Sequence, residues 1–182
     1  MLGKAYDGEV CSIARSLEVI GERWSLLIIR DALFAGSTRY TDFQRTLGVA
    51  TNVLKNRLDG FVEAGLMRRS RYSAQPELHE YLLTERGRDL APALIALTQW
   101  GDRYAAPDGP PILYRHTGCG AQVSHAVVCA THGHLDDPAE VDARPGPGMP
   151  AEHLERKRLL RAPRAAAAPR QSPRRTGAAA KG

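Results

Sequence analysis

Residues 38–83, TRYTDFQRTLGVATNVLKNRLDGFVEAGLMRRSRYSAQPELHEYLL, decide the fold of this chain. Apolar side chains recur at helical spacing between residues 40 and 47, which predicts a short amphipathic helix. Thr41 and Gln44 match a capping box, so we expect this helix to begin at Thr41. Gly48 then ends the helix and opens a tight turn.

A second helix is predicted directly after the turn, over residues 51–64. One face is apolar, with Leu54, Leu58 and Phe61 at helical spacing, and Gly65 stands where a left-handed C-terminal cap belongs. The opposite face carries Asn52, Lys55, Asn56, Asp59 and Glu63. Its first half is polar and basic, and this polarity suits insertion of the first turns into a major groove of DNA.

A β-hairpin is predicted after the second helix. Residues 66–72 form a basic first strand, residues 73–76 a loop, and residues 80–83 the second strand. Two helices joined by a tight turn and followed by a hairpin make a winged helix-turn-helix. The predicted fold class is therefore mainly α with a small β-hairpin wing.

Two more helices are predicted before this stretch. Residues 11–20 form the first, with Ala14, Leu17 and Ile20 directed inward. Residues 24–34 are apolar nearly all round, which predicts a buried central helix. We expect Trp24, Leu27 and Ile28 to anchor the core, and Arg30 and Asp31 to lie at an edge or to be paired.

The composition divides the chain into four parts. We predict a flexible arm at residues 1–9, the winged helix-turn-helix DNA-binding and dimerisation domain at 10–105, a small Cys/His-containing extension at 106–142, and a basic Pro/Ala/Arg-rich disordered tail at 143–182. The tail holds ten basic and two acidic residues, a net charge of +8. The other 142 residues hold fifteen basic and eighteen acidic residues, a net charge of −3, so the whole chain has a net charge of +5. Residues 39–71 alone hold seven basic and three acidic residues, a balance of +4 and a local footprint for DNA.

Residues 11–100 resemble the HxlR-type winged-helix transcriptional regulators, relatives of the MarR group. The resemblance rests on Cys11, IGERW at 20–24, LLIIR at 26–30, RYTDF at 39–43, Leu54 with Arg57 and Leu58, EAGL at 63–66, EYLLT at 80–84 and Gly87. It implies a regulator that binds a pseudo-palindromic operator as a homodimer through its first and last helices. It also implies that the regulator represses transcription rather than activating it. The wing departs from the family at residues 73–79, where members more often carry a proline-rich stretch ending in a basic residue.

A long helix is predicted from a cap at Thr84 to about residue 104, with Pro92 in its first turns. Its apolar stripe is longer than a small winged domain needs for its own core, and we predict that the surplus forms the dimer interface. The stripe consists of Leu90, Leu94, Leu97, Trp100 and Tyr104. The alternative is a helix that folds back on its own domain.

The predicted DNA-binding residues lie on the second helix of the helix-turn-helix and on or near the wing. Amide side chains bind adenine, and basic side chains bind guanine or phosphate. The set consists of Arg39, Thr51, Asn52, Lys55, Asn56, Arg57, Arg68, Arg69 and Arg71. The alternative is a solvated helix face beside an ordinary charged hairpin, with Arg57 in a structural role beside Leu58.

Three cysteines raise separate hypotheses. Cys11 lies in the first turn of a helix, where a thiolate is stabilised, and in some members of the resembling family a cysteine there senses oxidants or electrophiles. The alternative for Cys11 is plain packing. The extension carries the spacing of a four-ligand structural zinc site, formed by His116, Cys119, Cys129 and His132, with a loosely ordered extension as the alternative. No cofactor is otherwise required.

Several function classes are excluded by the sequence. The chain carries no glycine-rich phosphate loop, nucleophile elbow or catalytic carboxylate pair, so we predict that it is not an enzyme. No apolar run is long enough to span a membrane and no signal peptide begins the chain, which predicts a cytoplasmic protein. The predicted partners are double-stranded DNA, a second copy of the chain, and a small-molecule or oxidant signal. The alternative function is a redox- or metal-sensing winged-helix module that acts mainly through protein contacts.

Overall fold

The computed structural model describes residue 6 and residues 9–160. The remainder of the predicted arm and residues 161–182 of the predicted tail lie outside the described residues. The chain divides into two compact units with the boundary after Glu140. The elements of the described part are α1 Ser12–Ile20, α2 Ser25–Phe34, α3 Tyr40–Leu47, α4 Thr51–Glu63, β1 Met67–Ala74, β2 Glu77–Leu83, α5 Glu85–Arg88, α6 Ala91–Tyr104, β3 Val127–Cys129, β4 Gly133–Leu135, a 3-10 helix Pro138–Glu140 and α7 Ala151–Leu160.

A hydrophobic core joins α2, α3, α4, the β1–β2 hairpin and α6. Its largest fully buried side chains are Phe43, Phe61, Ile28, Ile29, Leu54, Leu58 and Met67. The apolar stripes predicted for α3 and α4 supply most of these residues. Burial of each large apolar side chain contributes about 1.5–3 kcal/mol. This core therefore holds in place α4, the helix predicted to enter the major groove and called the recognition helix below. The winged-helix architecture is confirmed.

Two of the side chains predicted to point inward are exposed. Leu17 on α1 is 40% exposed and Leu27 on α2 is 39% exposed, whereas Ile28 and Ile29 are fully buried. The prediction was wrong for Leu17 and Leu27, since the rest of the described chain does not cover these sides of α1 and α2. Trp24 is half-buried and precedes α2 rather than belonging to it.

Asp31 is buried and paired, as one of the two predicted alternatives required. Its carboxylate accepts hydrogen bonds from Arg30 Nε at 2.9 Å and from Thr46 Oγ1 at 2.8 Å. The second of these contacts ties α2 to the end of α3. Asp31 therefore fixes the angle at which the helix-turn-helix leaves the central helix.

The helix α3 begins at Tyr40, and the predicted capping box was wrong. The carboxylate that caps the helix belongs to Asp42, which accepts the Arg39 backbone N–H at 3.3 Å. Thr41 and Gln44 have the same spacing as Arg39 and Asp42, each two residues later, so spacing alone does not separate the two solutions. The helix ends as predicted at Gly48, whose φ of +61° favours glycine.

The hairpin is longer than predicted. Strands β1 and β2 are antiparallel, with Met67 opposite Leu83 and Ala74 opposite Glu77, and the turn between them contains a cis Gln75–Pro76 bond. A bulge interrupts the register between Arg71 and Ser73. The predicted loop at residues 73–76 mistook the last two residues of β1 for a turn, because small and polar residues are typical of both.

The long helix predicted after Thr84 is divided in two. Thr84 caps α5 by accepting the Gly87 N–H at 3.3 Å, and α6 begins only at Ala91. Pro92 explains the break, because proline lacks an N–H and its ring clashes with the carbonyl four residues earlier in a continuous helix. The cap was predicted correctly, and Pro92 lies in the first turn of α6, where its missing N–H needs no helical partner.

The extension lies against α2 and α6. The Gln99 side chain donates to the Val123 carbonyl at 3.0 Å and accepts the His125 backbone N–H at 3.1 Å, and the ring centroids of Phe34 and Tyr114 are 4.6 Å apart. Residues 106–140 consequently belong to the same compact unit as the winged domain. Strands β3 and β4 form a small antiparallel pair within them.

The second unit contains the helix α7. The prediction of a disordered tail was wrong for residues 151–160, which are helical. Their sequence, AEHLERKRLL, consists mostly of strong helix formers, and Glu152 lies in the first turn where a negative charge is favourable. No helix in the described residues is long and apolar enough to cross a membrane.

Candidate nucleic-acid interface

The first turns of α4 present the predicted polar side chains to solvent. Thr51, Asn52, Lys55 and Asn56 are exposed, while Leu54 and Leu58 of the same helix are fully buried. The Tyr40 hydroxyl donates to the Thr51 carbonyl at 2.8 Å, which fixes the start of α4 against α3. The helix can therefore present its outer face as a rigid surface.

The N-terminus of α4 is suited to meet an anion. Its N-cap residue is Ala50, which has no side-chain acceptor, and no acidic residue lies in the first turn. Asn52 Oδ1 accepts the Val53 N–H at 2.9 Å, so one of the free N–H groups is satisfied locally. The remaining N–H groups and the helix dipole favour a phosphate at this end.

A cluster of three charges connects α4 to the wing. Lys55 Nζ lies 2.6 Å from Asp59 Oδ2, and Arg69 of β1 donates to Asp59 Oδ1. The pKa of Asp59 is lowered mainly by the hydrogen bond from Lys55, and the positive charge of Arg69 lowers it further. Asp59 in turn raises the pKa of Lys55. All three groups are charged at neutral pH, and we call them the Asp59 cluster.

The basic residues of the wing divide between its two faces. Successive side chains of a strand point to opposite faces, and Arg69 contacts α4 through Asp59. Arg71 shares the face of Arg69. Arg68 lies on the other face, where it lines a cavity together with Ala32 and Arg88. The structure therefore brings Arg69 and Arg71, but not Arg68, towards the recognition helix.

Arg57 is placed differently from the rest of the predicted set. Its guanidinium lies 3.3 Å from the Glu22 carboxylate and its side chain is 27% exposed, in contrast to 67% for Lys55. An arginine held against Glu22, in the segment between α1 and α2, cannot also reach a groove occupied by the outer face of α4. Of the two readings from the sequence, the structural role of Arg57 fits this geometry.

Two further aromatic residues contribute to the surface and were not in the predicted set. Arg39 stacks over the Tyr72 ring at 4.4 Å, and Arg39 also forms an isolated β-bridge with Glu80 of the wing. Tyr40 anchors α4, as described above. Tyr72 follows the basic strand in sequence, but nothing in the sequence pairs it with Arg39 because the contact spans more than thirty residues.

The apolar stripe predicted as the dimer interface divides along α6. Leu94 is 6% exposed and Leu90 packs against the domain's own core. Leu97, Trp100 and Tyr104 are exposed, and the rings of Trp100 and Tyr104 lie 5.6 Å apart. Leu94 and Leu90 therefore serve the core, and the surplus surface predicted for the stripe is restricted to its last two turns.

The predicted zinc ligands form two separate pairs. His116 Nδ1 lies 3.2 Å from Cys119 Sγ, and Cys129 Sγ lies 3.5 Å from His132 Nδ1. Within residue 6 and residues 9–160, no three histidine, cysteine or acidic side chains cluster in a way that could hold a metal. As placed, the four side chains do not fit the predicted four-ligand zinc site, since each pair offers two ligands.

The cysteines differ in their surroundings. Hydrogen bonds from the backbone of His132 and of Thr131 lower the pKa of the Cys129 thiol, so its thiolate is favoured. Cys11 and Cys119 are exposed. Cys11 immediately precedes α1, whose first residue is Ser12.

A comparison with protein-family models matches residues 19–109 to HxlR-like helix-turn-helix proteins. The chain is also 45% identical over 152 residues to an uncharacterized HTH-type transcriptional regulator of Mycobacterium tuberculosis, which covers 83% of this chain and 94% of that protein. Since only 18 residues precede the family match, this similarity must continue well past residue 109 into the extension. A regulator of Synechocystis is 35% identical over 95 residues.

Two solved structures resemble the chain along most of their length. PA1607, a proposed transcription factor, is 37% identical, has a TM-score of 0.67, and covers 75% of this chain and 96% of its own. PA1374 of Pseudomonas aeruginosa, also a proposed transcription factor, is 37% identical with a TM-score of 0.58, and covers 80% of this chain and 99% of its own.

Proposed function

The chain belongs to the HxlR-like helix-turn-helix family of transcriptional regulators, and from that premise we propose that it acts as a homodimeric repressor on a pseudo-palindromic operator. Each protomer would insert the first turns of α4 into a major groove and lay its wing along the flanking backbone. The observation that carries the proposal is the exposed polar face of α4 opposite a fully buried apolar face. A chromosomal operator would place this activity in the cytoplasm.

Base recognition is assigned to the two amides of α4. Asn52 and Asn56 lie one helical turn apart on the exposed face, and amide side chains can bind adenine through two hydrogen bonds. Arg71 and Arg39 would provide phosphate contacts from the wing and its edge. Phosphate contacts position the protein, whereas the amides would select the sequence.

The experiment that tests this assignment compares an operator with random DNA. An operator is first selected from genomic fragments with the purified wild-type protein. Asn52→Ala together with Asn56→Ala should then reduce the preference for that operator by about 1–3 kcal/mol per lost base contact, while binding to random DNA changes little. Gln122→Ala removes an exposed amide from the extension and serves as the control. If the double variant keeps its preference for the operator, the assignment is wrong.

Self-association is proposed to use the exposed end of the α6 stripe together with α1. Leu97 and Trp100 on α6, and Ile13 on α1, are all at least half exposed. A surface of this kind is costly to leave in water, and pairing two protomers would also supply the two half-sites of a palindrome.

For the alternative function, a module that senses oxidants or metals and acts through protein contacts, the supporting observation is the Cys129 thiol. Its lowered pKa favours the thiolate, which is the nucleophilic form of a cysteine. Alkylation of Cys129 in the wild-type protein, followed by measurement of operator affinity, tests the idea. Unchanged operator affinity and unchanged self-association after complete modification would contradict a sensing role for this thiol.

A further inference from the structure

Asp59 is an acidic residue in the middle of a surface that is proposed to face DNA. It lies one turn after Lys55 on α4 and opposite Arg69 on β1, and its side chain is 26% exposed. A lone carboxylate at this position would repel the phosphate backbone. The reason for its presence must therefore lie in the two cations that it contacts.

Both oxygens of the Asp59 carboxylate are occupied by different elements. Oδ2 accepts from Lys55 of the recognition helix at 2.6 Å, and Oδ1 accepts from Arg69 of the wing. Arg69 is further held over the Tyr81 ring at 5.7 Å. Asp59 thereby joins the recognition helix to the wing and reduces the charge of the two cations from +2 to a net +1.

We propose that Asp59 is a specificity-determining positioning residue, which holds Lys55 and Arg69 in one ion-paired cluster so that neither cation is free to bind DNA of any sequence. This inference rests on the proposed DNA-binding function and deepens it. Lysine and arginine side chains that bind phosphates strengthen binding to every sequence equally, because phosphates carry no sequence information. Cations paired with Asp59 leave the choice of site to Asn52 and Asn56.

The salt dependence of DNA binding measures this effect directly. The logarithm of the binding constant falls with the logarithm of the salt concentration, with a slope of about −0.9 for each phosphate that a cation neutralises. Asp59→Asn releases Lys55 and Arg69, so we expect the slope to steepen by about 0.9–1.8. Affinity for random DNA at about 0.1 M salt should rise roughly eight-fold for each released cation, and the preference for the operator should fall.

Glu63→Gln provides the matched control. It changes the charge of the same exposed helix face by the same amount, and Glu63 forms no ion pair with any described residue. We expect it to leave the slope within about 0.3 of the wild type, since it frees no cation. Asp59→Glu keeps the charge and should restore both the wild-type slope and the preference for the operator.

A double-mutant cycle separates this role from a general structural one. In a protein that already carries Lys55→Gln and Arg69→Gln, Asp59→Asn should no longer steepen the slope, because no cation remains to be released. A change of fold or stability would instead persist in that background. Circular dichroism and the unfolding midpoint of each variant accompany the binding measurements.

Lys55→Gln alone gives an independent answer even if Asp59→Asn does not fold. Asp59 already neutralises Lys55, so removing the lysine should change the slope by less than half a unit. If the slope instead becomes shallower by about 0.9, Lys55 neutralises a phosphate by itself, and the proposal is overturned. The proposal is also overturned if the wild type prefers the operator and Asp59→Asn shows the same slope and the same operator preference as Glu63→Gln. A wild type that does not distinguish operator from random DNA contradicts the proposed function itself, and the role of Asp59 falls with it.

Discussion

Asp31 is the buried carboxylate at which three segments of the winged domain meet. Its side chain binds Arg30 and Thr46, and its backbone carbonyl accepts the Ser37 N–H at 3.1 Å. The sequence predicted that this acid needs a partner, because it occurs in an otherwise apolar helix. It did not predict Thr46, which is fifteen residues away and becomes a neighbour only when α3 packs on α2.

Replacing Asp31 should destabilise the fold. Asp31→Ala removes the carboxylate that accepts hydrogen bonds from the Thr46 hydroxyl and from the half-buried Arg30 side chain. We expect the free energy of unfolding in urea to fall by about 1.5–3 kcal/mol. Asp108→Ala, at an exposed position, should stay within about 0.5 kcal/mol of the wild type. Equal stability of the two variants would mean that the Asp31 contacts contribute nothing.

The reactivity of Cys129 should depend on pH in a way that the unfolded chain does not share. Backbone N–H groups of His132 and Thr131 stabilise the thiolate, which lowers the pKa of the thiol. In a protein with Cys11→Ser and Cys119→Ser, we expect the rate of alkylation by iodoacetamide to rise at lower pH in the folded state than in urea. Coinciding pH profiles for the folded and unfolded protein would contradict the lowered pKa.

At the scale of elements, the helices and the wing could be predicted from the sequence because each carries its own period. The apolar positions of α3 and α4 recur every three or four residues, and Gly48 and Gly65 mark the ends of both helices. The errors lie where a local rule has two solutions. Either Asp42 or Gln44 can accept a hydrogen bond from the start of α3, and Pro92 fits the first turns of one long helix as well as those of a new one. The choice is made by packing against distant residues.

Gly87 shows how tightly two elements approach. A Cβ added to this residue of α5 would lie 2.3 Å from the Leu66 carbonyl oxygen and 2.8 Å from the Leu83 side chain. We expect Gly87→Ala to reduce stability by about 1–3 kcal/mol, since the backbone of α5 must move. The family resemblance marked this glycine, but the reason for it appears only in the structure.

Gly101 is the matched control for Gly87. A Cβ on Gly101, inside α6, would meet no atom within 4 Å. Alanine is favoured over glycine in a helix, so Gly101→Ala should increase stability by about 0.5–1 kcal/mol. Thermal unfolding of both variants should therefore show shifts of opposite sign. Two shifts of the same sign would contradict the packing described here for α5.

At the scale of the whole molecule, the proposed dimer depends on side chains that the single chain leaves exposed. Leu97→Ala with Trp100→Ala should shift sedimentation from the mass of two chains to that of one, with little loss of stability within each chain. Leu94→Ala should instead cost about 2–5 kcal/mol of folding free energy, because Leu94 is 6% exposed. A wild-type protein that sediments as a monomer at micromolar concentration would contradict the proposed dimer.

The remaining sites could not be predicted from spacing alone. The His–Cys spacings in the extension satisfy a zinc motif, but spacing sets only how close the two members of a pair lie. Whether the two pairs meet depends on how the strands that carry them are arranged. In the Asp59 cluster, the pair of Lys55 and Asp59 can be predicted from their spacing on one helix. The contact of Arg69 with Asp59 cannot, because it depends on how the wing packs against α4.

The contacts of Gln99 have a consequence for communication along α6. This one side chain binds the backbone at Val123 and His125, and its neighbour on the helix is Trp100. Any effector that binds the extension and displaces residues 123–125 would alter the same helical turn that is proposed to meet a second protomer. Thermodynamic linkage is reciprocal, so self-association would change the affinity for that effector by the same factor by which the effector changes self-association.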